Sequence, residues 1–278
     1  MSDNIPISTQ WVLDAVGDVG RTAVKSVFMI VCLKTQSKGT GFLLKSGVII
    51  TNEHVIQNCK ASDIIAISSY GTQIHFKDLI FDSERDIAIL TPVTKLRGGL
   101  ELGNDSTLKV GQSVSTWGFP LGYNGPAPLL SVGYLAGFRA YNNSNNIKHL
   151  VVNGAFNPGN SGGPLFASND NKVIGIVVSK HAPISQFHLS AIKALANNKS
   201  GVVFTTTDQN GNTHSFVESQ IVADLLEYFR GLTQVMIGEA ISVEELKEYL
   251  KENNKEIEYF YYTKKTNNTK HKQLSSAQ

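Results

Sequence analysis

One serine in this chain is framed by glycines in a way that suits nucleophilic chemistry. Ser161 lies in Asn157–Leu165, which reads NPGNSGGPL, with Gly159 before it and Gly162 and Gly163 after it. A reactive hydroxyl needs exposure, a base within hydrogen-bond reach, and donors aimed at the charge it creates. Glycines permit positive φ values and remove Cβ atoms that would block a substrate carbonyl. The backbone N–H groups of Gly159 and Ser161, with Asn160 between them, are therefore expected to line an oxyanion hole. A Gly/Ser/Pro/Asn cluster is more often a plain turn, so the stretch needs partners elsewhere. Gly159, Ser161 and Gly163 also satisfy G-x-S-x-G, but that elbow requires a helix after the serine and then an acid and a histidine downstream. Here Pro164 and the apolar run Val173–Val178 follow, a strand pattern, and the elbow fails on context.

The partners lie upstream. Thr51–Ile56 (TNEHVI) follows the apolar run Gly47–Ile50 and carries His54, and Arg85–Leu90 (RDIAIL) sets Asp86 at the mouth of another strand. In order, a base, an acid and a nucleophile define acyl transfer in the chymotrypsin-type arrangement. Asp86 would accept the N–H of one ring nitrogen of His54. His54 would take the Ser161 proton and return it to the leaving amine. Asp82 is a rival to Asp86, but the apolar run starts directly after Asp86, so Asp86 is expected to be the one facing His54 and Asp82 to sit in a solvated turn. No metal or organic cofactor is required by this chemistry.

TNEHVI, RDIAIL and NPGNSGGPL resemble the three catalytic motifs of trypsin-like serine proteases, specifically the HtrA/Deg-type branch. The likeness continues through GTGFLL (Gly39–Leu44), Leu100–Gly122 and Ser131–Phe138, and covers residues 22 to 232. It implies an all-β, chymotrypsin-like double β-barrel, here with a short N-terminal helix and a C-terminal helical extension. It also implies a serine endopeptidase acting on protein or peptide substrates.

The elements that must position these residues read as short apolar strands separated by turns, consistent with 24 glycines in an all-β chain. Strands are expected at Val27–Leu33, Gly41–Leu44, Gly47–Thr51, Ile64–Ser68, Ile74–Leu79 and Ile87–Leu90, with His54 opening a short helix. Residues 1–105 would hold the N-terminal segment and first barrel. Residues 106–232 would form the second barrel, with an insertion at 181–212. Residues 233–278 would be a helical extension and polar tail. Trp11, Val12, Ala15 and Val16 suit one face of a short helix packed on the first barrel. Helical spacing recurs over 183–198. Asn210-Gly211 marks a hairpin between Val202–Thr207 and Thr213–Val217, and Val217–Phe229 reads as an amphipathic helix closing the second barrel. Ser242-Val243-Glu244-Glu245 is a capping box that starts a helix running to about Glu252. A short aromatic strand at Ile257–Thr263 and a disordered polar end from Lys264 complete the reading. The chain left after Gly231 is too short for the PDZ domain that HtrA-type proteins commonly carry.

A formal net charge of +2 gives no reason to expect nucleic acid or a membrane surface as partner. The first twenty residues lack the cationic start and apolar core of a secretory signal. The chain has only two cysteines, Cys32 and Cys59. A cytoplasmic protein with both thiols free is the expectation, with a disulfide as the weaker alternative.

Asn160 stands where zymogen-activated trypsin relatives have an aspartate, so ordering of the oxyanion hole should not depend on a freshly cut N-terminus. By the same resemblance, Ala155, Phe156, Val178, Ser179 and Lys180 would wall the primary substrate pocket. With no acid at its floor and Phe156 partly filling it, small or medium apolar side chains are expected there. Two function classes follow: an active serine endopeptidase working through His54, Asp86 and Ser161, or a protease-fold scaffold whose triad is idle or conditionally activated. The C-terminal extension would be a structural wrap or a dock for a partner protein or second copy.

Overall fold

A computed structural model describes residues 5–141, 146–154, 156–167, 172–178, 186–208, 211–232 and 237–253. Two helices come first, α1 (Ile7–Ala15) and α2 (Asp18–Ser26). The first barrel follows as β1 (Val27–Cys32), β2 (Lys38–Leu43), β3 (Ile49–Thr51), β4 (Ile64–Ser68), β5 (Gln73–Asp82) and β6 (Ile87–Pro92). The second takes β7 (Ser113–Gly118), β8 (Leu129–Tyr141), β9 (Ile147–Asn153), β10 (Pro164–Ala167) and β11 (Val173–Val178). Then come α3 (Gln186–Asn197), β12 (Val203–Thr207), β13 (Thr213–Val217), α4 (Glu218–Leu232), β14 (Ile237–Ser242) and α5 (Val243–Glu252).

Both barrels are closed six-stranded antiparallel sheets, in the orders β1-β2-β3-β6-β5-β4 and β10-β11-β14-β9-β8-β7. Closure removes free sheet edges. Strands that line the seam, such as β6 and β11, are apolar on both faces because both faces are covered, whereas β5 and β8 each leave one face largely to solvent. Along β6, Ala88 and Leu90 point into the first barrel, while Ile87 and Ile89 join the core between the barrels. Along β11, Ile174 and Val177 fill the second barrel and Val173, Ile176 and Val178 face the same inter-barrel core. That shared core, with Phe42, Trp117, Phe119 and Phe166, welds the two barrels along a seam.

The structure redraws several expected boundaries. The N-terminal segment is two helices, and Trp11 faces solvent while Thr9 and Leu13 are the buried residues of α1. The segment after His54 is a series of turns. The second barrel is closed by β14, which pairs with both β11 and β9, and not by α4. Residues 180–235 form a compact unit of their own, in which α3 packs on α4 beside the β12–β13 hairpin. The second barrel therefore runs past residue 232. The helix that starts after Ser242 is part of the main unit, with Val243, Leu246, Tyr249 and Leu250 buried in the inter-barrel core. The expected strand at 257–263 and polar end lie outside the described residues.

Cys32 at the end of β1 and Cys59 beyond His54 form a disulfide, with Cα atoms 6.4 Å apart. This corrects the expectation of free thiols: β1 and the turns after His54 come close enough for the bond, which the cysteine count alone cannot reveal. Among the described residues no helix is long and apolar enough to cross a membrane.

Candidate active site

The first barrel delivers an imidazole and a carboxylate to the seam. β3 ends at Thr51, and the next turn presents His54. β5 and β6 are joined by a tight turn that presents Asp86. His54 Nδ1 lies 2.7 Å from Asp86 Oδ2, and the backbone N–H of His54 donates to Asp86 Oδ1 at 3.0 Å. Both carboxylate oxygens thus hold one residue. An Nδ1–H donated to Asp86 leaves Nε2 as the acceptor, the tautomer that a general base needs. The His54 side chain is 42% exposed, open to incoming groups, whereas that of Asp86 is 25% exposed.

Asp86 has φ +56°, the left-handed region that few non-glycine residues occupy. Its carbonyl accepts a bond of 2.9 Å from Asn52 Nδ2, so both its backbone and its side chain are tied to the segment carrying His54. Neighbouring Glu53 has its carboxyl pushed above the usual range by burial, then by the Asp86 charge, with His54 opposing. Asp82, the rival acid, turns elsewhere. Its Oδ2 meets Arg85 Nη1 at 2.7 Å, and its Oδ1 accepts the N–H groups of Glu84 and Arg85. It is largely buried, not solvated, because it serves an ion pair.

The second barrel delivers the serine. Asn160 N–H donates to Asn157 C=O at 3.0 Å, closing a four-residue turn with Pro158 second and Gly159 third. Gly159 has φ +94°, as a type II turn requires of its third residue. The Pro158 carbonyl accepts from Leu121 N–H at 2.6 Å. Across that trans peptide the Gly159 N–H points the opposite way. A side chain at Gly159 would put its Cβ 2.3 Å from Phe119 O and 2.7 Å from Leu121 N, so nothing larger fits. Beyond the turn, Gly162 N–H donates to Val177 C=O and Val177 N–H to Gly163 C=O, fastening the serine loop to β11. Ser161 itself is 5% exposed.

The two halves meet through Thr40 on β2, which is fully buried. Its N–H donates to Ser161 C=O at 2.8 Å. Its hydroxyl donates to Gly159 C=O at 2.6 Å and accepts from Phe119 N–H at 3.0 Å. The fit leaves no room: a Cβ on Gly162 would fall 2.2 Å from Thr40 O and 3.0 Å from Asn52 N. A Cβ on Gly39 would lie 2.7 Å from the Val55 side chain and 3.2 Å from Ser161 O. The serine loop is therefore packed directly on the residues flanking His54. Thr40 and Asn52 tie the segments carrying Ser161 and Asp86 in place, and reading the motifs alone did not single them out. The GTGFLL motif was in view, but nothing in it marks the threonine as the tie between barrels.

Of the expected pocket residues, Phe156 is buried in the second-barrel core against Gly238, and Val178 lies at the end of β11 facing the seam. Ala155, Ser179 and Lys180 lie outside the described residues. Asn160 is buried with its amide against Gly118. Gly159 also lines a cavity of about 170 Å³, together with Met29, Lys38, Phe119 and Tyr123 among others.

Comparison with known proteins agrees with the double-barrel fold. The family description "Trypsin-like peptidase domain" matches residues 39–176. A probable periplasmic serine endoprotease DegP-like of Pseudomonas savastanoi is 37% identical over 144 residues, 51% of this chain and 29% of the relative. Protease Do-like 1, chloroplastic, of Arabidopsis thaliana is 36% identical over 157 residues, 53% of this chain and 34% of that protein. The chain thus spans about a third of the length of these curated relatives. Two solved structures share the fold at low identity. The Rv3671c protease of M. tuberculosis in its inactive form has a TM-score of 0.54 at 16% identity, over 84% of this chain and 92% of that one. The HtrA-type protease AlgW with a decapeptide has a TM-score of 0.54 at 18% identity, over 84% and 66%. Several Pseudomonas relatives are named periplasmic, which overturns the cytoplasmic expectation. With the motifs, the double barrel and the match over residues 39–176 in place, the chain carries a trypsin-like peptidase domain and is similar over that domain to HtrA/Deg-type proteases.

Proposed function

We propose that this protein is a serine endopeptidase in which Ser161 is the nucleophile, His54 the general base and acid, and Asp86 the residue that orients and supports His54. The observation that carries the reading is the two-point contact between Asp86 and His54, at 2.7 and 3.0 Å, beside a serine loop built on glycines that admit no side chain. Ser161 attacks the scissile carbonyl as His54 takes its proton. The tetrahedral oxyanion is received by backbone N–H groups of the turn, Gly159 and Ser161 among them. His54 then returns the proton to the leaving amine, and water completes the second half by the same route. The substrates are proteins or peptides, with small or medium apolar side chains preferred before the cut, because the pocket walls that the family resemblance implies carry Phe156 and no acid. The Cys32–Cys59 disulfide and the names of the Pseudomonas relatives support work in an oxidising compartment.

The test is labelling by a serine-reactive fluorophosphonate, followed by cleavage of a peptide library. Labelling that is absent in Ser161→Ala, with cleavage after Val, Ala or Leu, is the expected result. A wild-type protein that neither labels nor cleaves would instead identify an idle, protease-fold scaffold.

A further inference from the structure

Asp86 occupies an unfavourable backbone conformation, and its neighbour explains what holds it there. The Arg85 guanidinium is met by four carboxylates. Asp82 approaches Nη1 at 2.7 Å, and Glu252 grips the fork from both sides at 3.0 and 2.9 Å. Glu245 and Glu248 stand at 3.6 and 3.5 Å. Three of these acids come from α5, at positions i, i+3 and i+7, which fall on one helix face. The Arg85 side chain is only 18% exposed. Burial opposes its charge, yet the hydrogen bonds it donates to Glu252 and Asp82 outweigh that and hold its pKa above the ordinary arginine value.

The helix supplying the acids is itself anchored. The Ser242 hydroxyl caps α5 by accepting Glu244 N–H and donates to Asp105 Oδ2 at 2.5 Å. Glu245 does not close the expected capping box. It accepts Lys148 N–H at 2.9 Å and faces Arg85. With Leu246, Tyr249 and Leu250 buried, α5 is a fixed wall and not a loose end.

We propose that α5 is a positioning element for the active site: through Arg85 it clamps the β5–β6 turn, keeping Asp86 left-handed and its carboxylate on His54. Arg85 touches no substrate and no reacting atom, so it is a positioning residue. Isolated surface ion pairs contribute little, but a bidentate fork on a guanidinium only 18% exposed, held also by Asp82, fixes geometry as well as charge. The inference rests on the peptidase reading for its kinetic consequence, though not for its structural one.

The experiment uses the full chain with Arg85→Gln, Glu252→Gln and the exchange pair Arg85→Glu with Glu252→Arg, each checked for folding by circular dichroism. The first readout is hydrogen exchange at the His54 backbone N–H, which is bonded to Asp86 Oδ1. Exchange should accelerate roughly tenfold in both single variants while core amides of β3 and β6 stay protected. The second is kinetics on a peptide substrate: kcat should fall roughly tenfold with KM nearly unchanged. That loss should vanish when Arg85→Gln is placed on Asp86→Asn, since the two act through one contact. The exchange pair should recover part of both effects. If Arg85→Gln does not fold, Glu252→Gln decides alone. Unchanged His54 exchange and unchanged kcat in the folded variants overturn the clamp while leaving the peptidase reading intact. Accelerated exchange in a protein that cleaves nothing upholds the clamp and sinks the peptidase reading.

Discussion

The two barrels are alike in strand number and closure but not in how the chain builds them. The first is assembled from one continuous stretch, Val27 to Pro92, in which most strands pair with a near neighbour in sequence. The second borrows its last strand, β14, from beyond the separate unit 180–235. The first barrel is also the one stapled by a disulfide, and it supplies the imidazole and carboxylate. The second, with no cysteine, supplies the serine and the glycine turn. On the peptidase reading each barrel brings an incomplete set of groups, and the serine loop is tied to the other half through Thr40.

The division can be broken at either half. On the second-barrel side, Ser161→Ala should lower kcat by about 10⁶-fold, measured on a cleavable peptide. Gly159→Ala should cost about 10²–10³-fold in kcat, because a side chain at φ +94° against Phe119 O displaces the turn and its N–H. On the first-barrel side, Cys32→Ser or chemical reduction should lower stability by about 2–4 kcal/mol in a denaturant titration, with probes in the first barrel responding first. A smaller effect belongs to α5. The Tyr249 phenol is pushed up to about 12, by burial and then by the nearby Asp82 and Glu252 charges, with Arg85 opposing. A raised acid pKa means the folded state prefers the proton. The corresponding stability is complete below pH ~10 and is lost as pH climbs through ~12, by about 1–2 kcal/mol, and Tyr249→Phe should flatten that slope. Smallest of all should be excision of 180–236. Val178 already pairs with Glu239 across adjacent strands, so a short hairpin loop can join them, and Tm should move by only a few degrees. A collapse of the second barrel in that variant would show that the borrowed strand needs the unit it follows.

Much of the first barrel was legible because its strands are β-branched runs bounded by Gly, Asn and Asp turns, a local signal. The candidates His54, Asp86 and Ser161 were legible in order for the same reason: His54 follows one apolar run, Asp86 opens another, and Ser161 lies in a glycine frame ahead of a strand pattern. The second barrel was harder. Val217–Phe229 carries a helical stripe that says it must bury a face, but not against what, and it was assigned to the wrong core. Ile237–Ser242, with Gly238 and Glu239 inside it, has little strand character of its own. Glu239 is nonetheless buried, bonded to His149 Nδ1 at 3.0 Å and Arg139 Nη1 at 2.7 Å. Such long-range pairing leaves no mark in a local pattern. The acids at 245, 248 and 252 share one helix face, yet the cation they meet together lies at position 85, too distant to be inferred from spacing.

Thr40 has a consequence for the life of the chain before it is finished. Its hydroxyl and N–H connect the first barrel to Gly159, Phe119 and Ser161. A half-folded molecule whose barrels have not yet met lacks those ties, and its glycine turn has no reason to hold one shape. On the peptidase reading, the backbone groups that would receive the oxyanion take their shape only once both barrels have closed on one another.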